Sequence, residues 1–118
     1  MAKTVLIIDD SFYMRSVLRK YLEEAGYDVV GEAENGEMGI DMALSLKPAV
    51  ITLDIILPDM IGLDIVKALR KENLESKIIL VSVVGQLDVI KKGLQLGANA
   101  YLMKPFNEEQ LMEKLKTI

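Results

Sequence analysis

Three carboxylates, a hydroxyl and an ammonium stand where short apolar runs of this chain end. Asp9 and Asp10 follow Val5-Leu6-Ile7-Ile8, Asp54 closes the run from Ala49 to Leu53, Ser82 closes the run from Ile78 to Val81, and Lys104 follows Ala100-Tyr101-Leu102-Met103. Adjacent strands of a sheet lie about 5 Å apart, so side chains leaving neighbouring strands at one rim can share a small site. Three carboxylates there repel one another, each pair about 4 Å apart by about 4 kcal/mol at an effective dielectric of about 20. The site therefore calls for positive charge. Lys104 supplies one cation, and a hard divalent ion such as Mg2+ supplies more, taking carboxylate, carbonyl and water oxygens in octahedral array. The chain has neither His nor Cys, so any metal is held by oxygen. A carboxylate beside such an ion and a lysine is suited to attack on a phosphoryl group, because both cations neutralise charge on the transferring oxygens. The product of that chemistry is an aspartyl phosphate.

Converging these residues on one rim requires a parallel sheet. Apolar runs at Val5 to Ile8, Val29 to Ala33, Ala49 to Leu53, Ile78 to Val81 and Ala100 to Met103 predict five strands. Helical spacing fills the intervals. Met14, Val17, Leu18, Tyr21, Leu22 and Ala25 mark the first helix, which Gly26 stops. The second spans Glu37 to Leu46, ending before Lys47-Pro48, and the third spans Gly62 to Glu72. The fourth, Leu87 to Leu96, carries Gly93 in its interior and is expected to be the least stable. The last opens with Asn107 as cap, Gln110 reaching back and Glu108 and Glu109 in its first turn, and presents Leu111, Met112 and Leu115 as its apolar face. Alternating strands and helices imply right-handed crossovers and a doubly wound α/β domain, with helices on both faces of a five-stranded parallel sheet. The first, third and fourth strands are apolar enough to be central, whereas Asp28 and Glu32 mark the second as an edge. Ligands of such sheets bind beyond the carboxyl ends of the strands.

Composition narrows the function. A chain of 118 residues, 51% hydrophobic and 27% charged, has the length of one ordinary domain, residues 1–118, with one core. A net charge of -4 argues against nucleic-acid binding, which needs clustered Lys and Arg. The opening apolar run is too short for a signal peptide or membrane span, so a cytoplasmic protein with no membrane association is expected; a monomer is the separate expectation. Taken singly, the polar residues have plainer roles: Asp10 or Ser11 as a helix cap, Lys104 and Ser82 as loop residues, Tyr101 as packing. Lys91 and Lys92 read as a solvated helix face, and the methionines as core filler. Those roles do not explain why five polar positions meet on one rim.

Ile7-Ile8-Asp9-Asp10-Ser11, Leu53-Asp54-Ile55-Ile56-Leu57-Pro58, Val81-Ser82 and Tyr101-Leu102-Met103-Lys104-Pro105-Phe106 resemble the receiver domains of two-component response regulators, and the resemblance covers nearly the whole chain. It implies a flavodoxin-like sheet of order 2-1-3-4-5. It further implies Asp54 as phosphoacceptor, with Mg2+ held by Asp10, Asp54 and the Ile56 backbone carbonyl, and by Asp9 through water. Ser82 and Lys104 would contact the phosphoryl group, Tyr101 would change exposure as Ser82 moves, and the Lys104-Pro105 bond would be cis. A histidine kinase is the implied donor, necessarily another protein since this chain lacks His. A downstream protein target is implied at the face of the fourth helix, fifth strand and fifth helix. Such a protein is a switch and not a conventional enzyme, although it catalyses its own phosphorylation and dephosphorylation. The segments Ser11 to Arg15 and Ser82 to Gln86 look chemotaxis-like, against the alternatives of a phosphorelay intermediate or a receiver detached from a transcription factor.

Departures from the family pattern bear on rate. Relatives often carry a small residue after the hydroxyl and a polar one two beyond the phosphoacceptor; here stand Val83, Val84 and Ile56. An apolar wall and slow loss of the phosphoryl group are expected. Ile61, where relatives often have Asp, concerns only the turn before Gly62. Two other classes compete. A metal-dependent aspartyl-phosphate phosphatase or phosphotransferase would want a second aspartate at position 56, and a flavodoxin-like mononucleotide binder would want a phosphate-cradling loop where Asp9-Asp10 would repel phosphate.

Overall fold

Each strand of this chain alternates its apolar side chains between two faces, and each face is roofed by helices. The computed structural model describes residues 2–118. Its elements run β1 (Thr4–Ile8), α1 (Phe12–Glu24), β2 (Asp28–Ala33), α2 (Gly36–Leu46), β3 (Val50–Leu53), α3 (Gly62–Lys71), β4 (Lys77–Ser82), α4 (Leu87–Leu96), β5 (Ala100–Met103) and α5 (Glu108–Thr117). The five strands are parallel, in the order β2-β1-β3-β4-β5. The expected doubly wound α/β topology is therefore present, and boundaries move by at most two residues. Asp54 lies one residue beyond β3 and does not close it, though its amide extends the ladder to the Ile8 carbonyl at 3.0 Å.

The one core expected is in fact two, because the period of two along each strand sends apolar side chains to both faces of the sheet. Leu6, Ile8, Ile51, Leu53, Ile78 and Leu80 point to one face, where Ala43 of α2 and Ile65, Val66 and Leu69 of α3 cover them and α4 adds Val89 and Leu96. Val5, Ile7, Val50, Ile79, Val81 and Leu102 point to the other, under Leu18 and Leu22 of α1 and Leu111 and Leu115 of α5. Most of these side chains are fully buried, and each contributes roughly 1.5 to 3 kcal/mol by leaving water. The edge position of β2 is as expected, and Glu32 there is partly exposed and paired with Arg15 and Arg19 of α1.

Helix ends follow their local chemistry. Ser11 caps α1 by accepting from the Met14 amide, Asn35 caps α2 by accepting from Met38, and Asn107 and Gln110 form the reciprocal capping box of α5. By contrast, α4 starts at Gln86 with no side-chain cap. Its Gly93 is buried, and a Cβ there would stand 2.5 Å from Leu80 Cδ1 and 3.1 Å from Leu63 Cδ2. The glycine lets α4 lie close against β4 and α3, at the expense of intrinsic helix propensity.

Gly93→Ala sets a propensity gain of about 1 kcal/mol against an overpacking cost of roughly 1 to 3 kcal/mol. Because Leu80 is fully buried and has little room to yield, overpacking should win. The urea midpoint of Gly93→Ala is expected to fall by the equivalent of about 1 kcal/mol at unchanged slope.

Candidate functional site

The rim at the carboxyl ends of the strands holds the polar groups singled out by sequence. Asp9 follows β1 and is buried; its amide donates to the Ala33 carbonyl at 3.0 Å, and its Oδ1 accepts from the Ser11 amide at 2.9 Å. Asp54 follows β3 and is also buried, with Oδ1 accepting from the Ile56 amide at 3.1 Å. Lys104 joins them: Nζ donates to Asp9 Oδ2 at 2.8 Å and to Asp54 Oδ2 at 2.9 Å. Its own amide donates to the carbonyl of Ser82 at 2.9 Å, which fixes the end of β5 against the end of β4. Asp10 is exposed, yet it offers a carboxylate oxygen within 4.8 Å of oxygens from both Asp9 and Asp54. The Lys104-Pro105 peptide is cis.

Charge decides what this arrangement can hold. Three carboxylates and one ammonium leave a formal excess of two negative charges, which one divalent cation cancels. An all-oxygen donor set that converges within 4.8 Å and opens to solvent on the Asp10 side suits a hard cation such as Mg2+, which keeps several of its waters. Burial acts to lower the Lys104 pKa, but hydrogen bonds and the charges of Asp9 and Asp54 outweigh it, and the net shift is upward. Stability from a raised lysine pKa is complete below its ordinary value of 10.5 and is lost only as pH rises through the higher folded value. Lys104 is thus a cation at neutral pH.

Ser82 is fully buried at the end of β4, and its Oγ accepts from the Val84 amide at 3.3 Å. The Val84 carbonyl in turn accepts from the Tyr101 hydroxyl, so the segment after β4 is bonded at one end to the site and at the other to β5. Burial raises the Tyr101 pKa; the neighbouring Ser82 hydroxyl opposes this and the Asp54 charge adds to it. The apolar wall expected from Ile56, Val83 and Val84 needs correction. Ile56 and Val83 are 57% and 63% exposed at the rim, but Val84 packs inward against the core beneath α4. Val84 therefore meets the site through its backbone, whose amide and carbonyl bond Ser82 and Tyr101.

Two residues of the loop after β3 matter more than their sequence suggests. Asp59 is exposed, but both its oxygens bond the start of α2: Oδ1 accepts from the Gly36 amide at 2.7 Å and Oδ2 from the Glu37 amide at 2.9 Å. Pro58-Asp59 reads as a turn, and nothing local reveals a helix end 22 residues upstream in contact with it. Gly62 opens α3 so close to the phosphoacceptor candidate that a Cβ would meet the Asp54 carbonyl oxygen at 2.3 Å. Backbone cannot yield as a side chain can, so this position excludes any side chain.

A doubly wound α/β domain thus presents three carboxylates, a lysine and a buried serine at one rim, an arrangement able to hold a hard cation beside an ammonium. A profile of the response regulator receiver domain matches residues 5–116. The chain belongs to that family, a family of signalling proteins and not of conventional enzymes. It is 37% identical over 118 residues to the chemotaxis protein CheY of Thermotoga maritima, spanning 100% of this chain and 98% of that protein. It is 38% identical over 113 residues to the nitrate/nitrite response regulator protein NarL of Escherichia coli, spanning 95% of this chain and 52% of that protein. The structure of Vibrio cholerae chemotaxis protein CheY4 superposes with a TM-score of 0.91 at 30% identity, covering 100% of both chains. No helix among the described residues is long and apolar enough to cross a membrane.

The hydrogen bonds donated by the Gly36 and Glu37 amides hold the Asp59 pKa below the ordinary 3.8. A depressed carboxylate pKa confers stability that is complete above the unfolded value and lost as pH falls through the folded one. Asp59→Ala should therefore be less stable than wild type by a constant margin at neutral pH, and that margin should shrink below about pH 3.8. Urea unfolding across the acid range measures it.

Proposed function

We propose that this receiver accepts a phosphoryl group on Asp54 from the phosphohistidine of a partner kinase and relays the change to a protein-binding face. The observation that carries this is the single lysine bonded to two buried carboxylates, with a third carboxylate completing an oxygen pocket. An Asp54 oxygen forms the new bond to phosphorus as the nitrogen–phosphorus bond of the donor breaks, and the departing imidazole takes up a proton. Mg2+, held by Asp10, Asp54 and the Ile56 carbonyl and by Asp9 through water, would supply charge neutralisation on the phosphoryl oxygens. Lys104, already at 2.9 Å from Asp54, pairs with the phosphoryl group from the other side.

The switch follows from the hydrogen bonds beyond the pocket. Once Asp54 carries a phosphoryl group, the Ser82 hydroxyl gains a charged acceptor, a bond worth roughly 1.5 to 3 kcal/mol. That is the scale of a typical allosteric coupling, about 1 to 3 kcal/mol. Movement of Ser82 alters its contact with the Val84 amide, and the Val84 carbonyl holds the Tyr101 hydroxyl. The uncapped start of α4 lies at the end of this segment, so the face of α4, β5 and α5 is where a protein target would read the change. Full-length similarity to chemotaxis proteins favours motility control, with a cytoplasmic place of work. A receiver within a longer regulator, as in the NarL match, is the second reading.

Incubation with acetyl phosphate should add one phosphoryl group by intact-mass analysis when Mg2+ is present and none when it is chelated. Asp54→Asn should abolish the addition; labelling that survives it would overturn the assignment. The phosphoryl lifetime should be long, because Ile56 offers no group to orient attacking water at the exposed rim. Ile56→Asn is expected to shorten that lifetime by about tenfold. A wild-type lifetime of seconds that the substitution leaves unaltered would contradict this account.

A further inference from the structure

Asp10 is the least constrained member of the pocket. Asp9 is bonded through its amide, both carboxylate oxygens and its carbonyl, and Asp54 through its amide and both carboxylate oxygens. Among the described residues no hydrogen bond holds the Asp10 carboxylate, which is exposed. What does hold this stretch is the peptide that leads into it. Arg15, one turn into α1, donates from Nη1 to the Asp9 carbonyl at 2.8 Å and from Nε to Glu32 Oε1 of β2 at 3.0 Å. Its side chain is only 12% exposed.

We propose that Arg15 is a positioning residue for the metal pocket, which it serves by fixing the Asp9–Asp10 peptide plane and hence the starting point of the Asp10 side chain. The proposal rests on the reading of Asp10 as a metal ligand. A planar peptide leaves only the dihedrals of Asp10 itself free once the Asp9 carbonyl is pinned. The guanidinium is suited to this task because its donors sit in a rigid fork: with Nε engaged by Glu32, the direction of Nη1 is set. Phe12 adds a second restraint, its ring centroid lying 5.8 Å from Arg15 Cζ.

Glu32 completes the device. Its other oxygen accepts from Arg19 Nε at 2.7 Å, so one carboxylate on the edge strand orients two arginines of α1. Arg19 does not touch the pocket; it bonds only Glu32 and Glu23 among the described residues. The pair therefore separates two roles. If the cluster merely fastened α1 to β2, Arg15 and Arg19 would be equivalent. If Arg15 positions the pocket, only its loss should reach the metal.

The test is titration calorimetry of MgCl2 into wild type, Arg15→Gln, Arg19→Gln, Arg15→Lys and Asp10→Asn at pH 7, with the unfolding temperature of each measured in EDTA. Arg15→Gln should weaken Mg2+ binding by about tenfold, the scale seen when a group orienting a metal ligand is removed, while Arg19→Gln stays within about twofold of wild type. Arg15→Lys keeps a donor but loses the fork, and should fall between them. Should Arg15→Gln not fold, the comparison of Arg15→Lys with Arg19→Gln decides the matter in the same way. Equal affinities for the Arg15 and Arg19 variants, or an Arg15→Gln affinity within twofold of wild type, would overturn the proposal even if unfolding temperatures drop. Wild type that takes up no Mg2+ at millimolar concentration, matching Asp10→Asn, would instead show that the metal reading beneath it is wrong.

Discussion

The bond from Lys104 to Asp9 and Asp54 spans 95 and 50 residues of chain, and the functional rim is organised around it. Two buried carboxylates side by side repel one another unless a counter-charge stands between them, and a largely enclosed ammonium costs free energy unless carboxylates meet it. Each therefore permits the others. The lysine cancels enough charge for the pocket to fold and leaves enough uncancelled for a cation to be attracted. The hydrogen bond from its amide to the Ser82 carbonyl places this counter-charge by backbone, so that the ends of β4 and β5 hold the ammonium in position before any ligand arrives.

The sheet makes such a concentration of charge tolerable. Below the rim, β1, β3 and β4 are apolar on both faces but for Thr52 of β3, and the two cores keep these strands in fixed register. The polar residues occur where the strands stop, with solvent on one side and rigid backbone on the other. The loop after β3 is held from outside by Asp59 at the start of α2, and from beneath by the contact of Gly62 with the Asp54 backbone. On the α1 side, Arg15 performs the corresponding service for the peptide after Asp9. The segment after β4, bonded to the site through Ser82, lacks such a support from outside and leads into a helix without a side-chain cap.

Asp9, Asp10, Asp54, Ser82 and Lys104 were legible as a set because each ends or follows an apolar run, and parallel strands bring such ends together. Asn107 and Gln110 were legible as a capping box because that motif is local. Val84 was misjudged as part of the pocket wall, since an apolar residue after a strand does not announce which way it turns. Gly93 was read for its propensity alone, when its reason is the close approach of Leu80 and Leu63. Asp59 was passed over, resembling any turn aspartate, and Arg15 figured only as the end of the Ser11 to Arg15 segment, indistinguishable by type from any solvated helix arginine.

The sequence by itself determined the alternation of strands and helices, the apolar faces, the local caps and the identity of the charged groups at the strand ends. These depend on residue type and on separations of a few positions, which chain chemistry fixes directly. The tertiary structure alone decided that Asp59 meets α2, that Arg15 meets the Asp9 carbonyl, that Val84 turns inward, and which oxygen of each aspartate faces the lysine. Those contacts join groups from separate elements through angstrom-scale distances, and a hydrogen bond acts only within such distances.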